Sequence, residues 1–142
     1  MKRILLLIMY SFALMLFAFS SVSAQDFLCS ATQKSYDTPA LLGTECPIGV
    51  SLLGKTEPTY QHSTFWIQCG IYLEEFTLQQ VKLIYPNVSQ SIWNKAESIG
   101  RRCLIGPYHD FAQVNLELSQ LRTISGFETS FIREVSNTYR TK

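Results

Sequence analysis

From Phe65 onward, apolar and polar positions fall into periods that separate strands from helices. In FWIQCGIY, Phe65, Ile67 and Cys69 alternate with Trp66, Gln68 and Gly70, which predicts a strand over 65–70 with two differently equipped faces. Glu74 to Tyr85 places Leu78, Val81 and Tyr85 at helical spacing, with acidic residues at its start and Pro86 at its end, and predicts a helix. Between Val88 and Ala96 a second strand can put Val88, Ile92 and Ala96 on one face and Trp93 and Lys95 on the other. A turn at Ser98 to Gly100 leads to a third strand, RRCLIG, where Cys103 and Ile105 alternate with Arg102 and Leu104 until Pro107. Asp110 is placed to N-cap a helix from Phe111 to about Ser125 with Phe111, Val114, Leu118 and Leu121 as its apolar stripe. Gly126 closes that helix, and FETSFIREV reads as a last strand.

The order β-α-β-β-α-β is that of the split βαβ, ferredoxin-like or RNP-like α+β fold: a four-stranded antiparallel sheet with both helices on one face. In its spatial order 4-1-3-2 the first and third strands are central neighbours. The face without helices is the expected working surface, and Trp66, Gln68, Arg102 and Leu104 point to it.

The rest of the chain reads differently. Lys2 and Arg3 precede an apolar run from Ile4 to about Phe19 and the small-residue tail SSVSA, the pattern of a secretory signal peptide over 1–24, cleaved after Ala24. This predicts export, with no membrane attachment after cleavage. Residues 25–63 carry recurrent Gly and Pro and no sustained period, which predicts a loop-rich extension. The regular domain spans 64–136 and a short tail 137–142. Removing the leader takes two of the 12 basic residues and none of the 11 acidic ones, so the exported chain has a net charge near −1. That balance offers no polyanion-binding excess.

All four cysteines, Cys29, Cys46, Cys69 and Cys103, lie in the exported part, where an even count favours disulfides. Counting alone leaves three connectivities open. The strand alternation narrows them: Cys69 and Cys103 both point beneath the helices from neighbouring strands, so they can pair, leaving Cys29 with Cys46 to close the extension. His62 and His109 fall in no metal-binding pattern, and no metal or other cofactor is implied. His109 and Asp110 are adjacent, but Asp110 is more simply a helix cap. No G-x-S-x-G elbow or H-E-x-x-H helix is present, so a non-catalytic binding module is expected.

Two motifs carry a resemblance. IQCGIY at the end of the first strand and RCLIGPY at the end of the third resemble the VQxGSF and RVxxGPF signatures of the SPOR domain, the sporulation-related repeat. The similarity covers about 65–135. It implies a periplasmic protein of the bacterial envelope, linked to cell division or wall maintenance and septal in placement, that binds peptidoglycan glycan strands lacking stem peptides, without covalent chemistry. The family's first-strand glutamine falls on Gln68 and its third-strand arginine on Arg102. Ile71 stands where the family's serine follows the first-strand glycine, and Gly100 where an aromatic residue is common. The expected glycan surface is Gln68, Arg102, Trp66, Trp93, Ile71 and Leu104. An amide suits sugar hydroxyl and acetamido groups, a guanidinium suits carbonyl or carboxylate oxygens, and indoles can stack on pyranose faces.

The extension at 25–63 is a candidate contact for an envelope or division protein. The alternative is an exported interaction module or inhibitor whose SPOR-like fold no longer takes glycan. An RNA-recognition domain shares the element order, but it stacks bases on aromatic residues of its central strands. RRCLIG has none, so no nucleic-acid partner is expected.

Overall fold

The computed structural model describes residues 29–32 and 38–137. The leader with its cleavage after Ala24 lies outside the described residues, as do 138–142 of the tail. The chain is a mixed α+β protein whose described strands are β1 (Ala31–Thr32), β2 (Ala40–Leu42), β3 (Val50–Ser51), β4 (Ser63–Tyr72), β5 (Ile92–Glu97), β6 (Gly100–Tyr108) and β7 (Phe131–Ser136). Its helices are α1 (Leu78–Ile84), continued by a 3-10 turn over Tyr85–Asn87, and α2 (Phe111–Leu121). All seven strands form one sheet in the order β1-β2-β5-β6-β4-β7-β3.

This corrects the expected four-stranded antiparallel sheet. The inner run β5-β6-β4-β7 is antiparallel throughout, but the 25–63 extension adds β1 and β2 beyond β5 and β3 beyond β7. β2 joins β5 in parallel, through Ala40–Trp93 to Leu42–Lys95, so the sheet is mixed. Both exposed edges of the inner run are thereby paired, which removes rows of unsatisfied backbone groups. The extension is part of the sheet and not only a loop.

Helix α1 starts later than its periodicity suggests. Thr77 caps it: Gln80 N–H donates to Thr77 Oγ1 at 3.3 Å while Thr77 N–H donates to Gln80 Oε1 at 2.9 Å. This reciprocal box satisfies two backbone donors and fixes the start at Leu78. Glu74 and Glu75 precede it and leave its first turn without acidic residues. Asp110 caps α2 as expected, its Oδ1 accepting from Gln113 N–H at 2.8 Å. That helix ends at Leu121, and Gly126, at φ +94°, turns the chain toward a β7 that begins only at Phe131. β6 runs on through Pro107 to Tyr108.

One apolar core lies between the sheet and the two helices. It combines Phe65, Ile67 and Cys69 of β4 and Cys103 and Ile105 of β6 with Ile132 of β7. Val81 and Ile84 of α1 and Val114, Leu118 and Leu121 of α2 close it. The Cys69–Cys103 disulfide lies inside this core with its Cα atoms 5.2 Å apart, and Cys29–Cys46 closes the extension at 4.7 Å. Both pairings are as expected. At the core's margins two buried carboxylates collect donors. Glu134 accepts from Thr59 N–H, Tyr60 N–H and Ser63 Oγ–H, and Glu117 accepts from Ser89, Tyr108 Oη–H at 2.6 Å and Gln113.

Candidate functional site

The face of the sheet away from the helices is built by alternation. Trp66 and Gln68 of β4, Trp93, Lys95 and Glu97 of β5, Arg102 and Leu104 of β6, and Phe131, Arg133 and Val135 of β7 come to it. Strict alternation from Gln68 would send Ile71 to the helix side. A register irregularity between Gln68 and Gly70 prevents this, and Ile71 pairs directly with Arg102. A bulge of this kind re-aims the residues beyond it, so Ile71 shares the face with Gln68 and Arg102.

This face is not open along its length. Leu42 and Cys46 of the extension form a second apolar cluster with Trp66 and Leu104, bordered by Cys29, Ile48, Trp93 and Val135. Trp66 is 3% exposed and Leu104 fully buried. Neither is a surface for a sugar ring, which corrects the expectation of an uncovered sheet face. Gly106 makes this packing possible. A Cβ there would lie 2.8 Å from the Trp66 ring and 3.0 Å from the Phe65 carbonyl oxygen, at a φ of +150°. Trp93 stays half-buried, its indole N–H donating to the Gly106 carbonyl at 2.9 Å.

Beyond the apolar cover the face is polar. Gln68 is 7% exposed, and its Oε1 accepts from Arg102 Nη1 at 2.6 Å and from Arg133 Nη1 at 3.1 Å. Arg102 also grips Glu97 in a two-point pair, Nε to Oε1 at 2.7 Å and Nη2 to Oε2 at 2.5 Å. That pair holds the Glu97 carboxyl below its ordinary range. Arg133 donates to the carbonyls of Ile48 at 3.2 Å and Gly49 at 2.6 Å. Burial, reinforced by the Arg102 charge, lowers the proton affinity of Arg133. Lys95, also buried, donates to the carbonyls of Gly43 at 3.2 Å and Thr44 at 2.8 Å. Ile71, 39% exposed, borders the cluster. Gly100 approaches it closely: a Cβ there would fall 2.4 Å from the Tyr72 carbonyl oxygen and 3.5 Å from an Ile71 methyl.

The structure therefore brings Gln68, Arg102 and Ile71 together and sets Trp66 and Leu104 apart beneath the extension. Three residues of the cluster, Lys95, Glu97 and Arg133, were not among those expected. In FIREV, Phe131, Arg133 and Val135 alternate with Ile132 and Glu134, which is the signal that places Arg133 on this face. No group of three or more His, Cys, Asp or Glu side chains suited to a metal occurs among the described residues, and no helix among them is long and apolar enough to cross a membrane. Comparison with known protein families, curated proteins and solved structures finds no match for this chain.

Proposed function

We propose that this is an exported, non-catalytic binding protein of the bacterial envelope that takes peptidoglycan glycan strands lacking stem peptides. The observation that carries the reading is the bonded pair Gln68–Arg102. The glutamine of IQCGIY and the arginine of RCLIGPY, the residues on which the SPOR resemblance rests, meet at 2.6 Å on the helix-free face. The inner strand order β5-β6-β4-β7 is compatible with the ferredoxin-like arrangement of such a domain. Two disulfides suit an oxidising compartment. In this reading the ligand lies on the strip of Ile71, Arg102, Gln68 and Arg133, while Trp66 and Leu104 anchor the extension. Sedimentation of the full chain with purified sacculi tests it. Enrichment on amidase-treated sacculi over untreated ones is expected, and no sedimentation with either overturns the reading.

A second reading, an interaction module whose SPOR-like face no longer takes glycan, is favoured by the apolar cover of Leu42 and Cys46 over Trp66 and by exposed Ile71, Leu73 and Ile99. Alanine at both Gln68 and Arg102 separates the two. Unchanged placement of a fluorescent fusion at the septum supports the second.

A further inference from the structure

The chain has two histidines, His62 and His109, and the fold brings both to one cavity. His62 stands one residue before β4 and His109 one residue after β6. Those strands pair antiparallel, with Phe65 opposite Tyr108, so the two histidines meet at the same end of the sheet. The cavity there has a volume of about 310 Å³ and is lined also by Tyr60, Ser63, Phe111 and Asn137. Its walls are held from behind. Buried Glu134 accepts from Thr59 N–H at 2.9 Å, Tyr60 N–H at 3.0 Å and Ser63 Oγ–H at 2.6 Å, which ties the segment around His62 to β7. Asn137 N–H donates to the His62 carbonyl at 3.1 Å. On the His109 side, Asp110 caps α2, and the Phe111 ring lies 5.4 Å from that of Phe65.

The imidazoles stand apart from this bonding. Both side chains are exposed, and neither has a hydrogen-bond or ionic partner among the described residues. A fixed backbone thus presents two uncommitted nitrogen ligands to one cavity, and imidazole is the commonest side-chain ligand for borderline metal ions. We infer that His62 and His109 form an exchangeable site for a divalent first-row transition-metal ion, with Cu²⁺ bound most tightly. Two imidazoles fall short of the three side chains that hold a resident catalytic zinc. The ion therefore keeps positions open to solvent or to an oxygen of a ligand. Copper suits such a mixed nitrogen and oxygen set and stands highest in the affinity order of these ions. The inference does not rest on the glycan reading, because the strip of Gln68, Ile71 and Arg102 lies toward the other end of β4.

The test titrates the full exported chain with Cu²⁺ and with Zn²⁺, followed by calorimetry and, for copper, by pulsed electron paramagnetic resonance. Copper is expected to bind more tightly than zinc and to show coupling to the remote nitrogens of two imidazoles. His62→Gln and His109→Gln should each weaken copper binding about tenfold or more and leave coupling to one imidazole. Both positions are exposed, so the metal-free melting temperature should not change. The wild-type spectrum counts the imidazoles whether or not either variant folds. Coupling to fewer than two imidazoles, tighter binding of zinc than of copper, unchanged copper affinity in either folded variant, or no copper uptake by the wild type overturns the site.

Discussion

The two faces of the inner sheet are covered by different means. On one face, two capped helices lay Val81, Ile84, Val114, Leu118 and Leu121 over Phe65, Ile67 and Ile105, giving a core of side chains from regular elements. On the other, an extension with little periodicity lays Leu42 and Cys46 over Trp66 and Leu104, while its backbone carbonyls bond Lys95 and Arg133. The first cover is apolar and continuous. The second stops part-way, and where it stops the face carries charge. A helix presents apolar side chains and few free backbone groups, so it suits a hydrophobic face. An irregular strand with Gly and Pro presents carbonyls, so it can sit on cations that a helix could not satisfy.

If that contrast is right, the helix-covered face is the more sensitive to truncation. Ile105→Ala, at a fully buried position between the sheet and the helices, is expected to cost about 2–5 kcal/mol in chemical denaturation. Leu42→Ala on the other face should cost less, because its cluster has only four buried members, and it should raise acrylamide quenching of Trp66. Equal costs at the two positions would remove the distinction.

The disulfides sharpen the same comparison. Cys29→Ser with Cys46→Ser opens a loop with a sequence separation of 17 and is expected to cost about 3 kcal/mol in the chain-entropy description. The loss should fall mainly on the extension, seen as faster hydrogen exchange in β2 and β3 than in β4 and β6. Uniform acceleration through all four strands would show the two covers to be one cooperative unit.

Acid should act at the margins of the core. Burial alone would raise the Glu134 and Glu117 carboxyls, but hydrogen bonds outweigh it, from Ser63, Thr59 and Tyr60 to the first and from Ser89, Tyr108 and Gln113 to the second. Both therefore lie below the ordinary 4.5 in the folded state. Their contribution is fully present above that value and is lost as pH falls through the depressed folded values. The melting temperature should be flat near neutrality and decline below about pH 4.5. Glu134→Gln, which keeps shape but not charge, should flatten part of that decline.

The smallest effect is expected at Asn94, whose buried amide has no hydrogen-bond partner among the described residues. Asn94→Leu should be neutral or stabilising by about 1 kcal/mol, read from the denaturation midpoint.

What the sequence revealed divides along the same line as the two covers. The helix face was legible because its elements are periodic: Val114, Leu118 and Leu121 announce a stripe, and the alternation around Cys69 and Cys103 allowed their pairing to be read. Gln68 and Arg102 were assigned to a common face by the same reasoning. The other cover was not legible, because Leu42, Cys46 and Ile48 are spaced by neither 2 nor 3.6, and nothing local in LLGTECPIGV says which surface it seeks. Alternation alone therefore puts Trp66 and Leu104 in solvent, whereas a tertiary contact buries them. Ile71 reached the site through a bulge, which depends on how β4 pairs with β6 and is invisible in one strand alone. Periodicity starts α1 too early because the acidic pair Glu74 and Glu75 resembles a first turn, whereas Thr77 and Gln80 form the cap.

The central claim is that ligand reaches the uncovered strip while the extension stays in place. The most direct measurement is an NMR titration of the isotope-labelled full chain with denuded glycan. The account predicts shifts in the Gln68 side-chain amide, the Arg102 and Arg133 guanidinium Nε–H signals and the Ile71 methyls, with the Trp66 indole unmoved. Shifts confined to the helix side, or none at all with the chain folded, would contradict it.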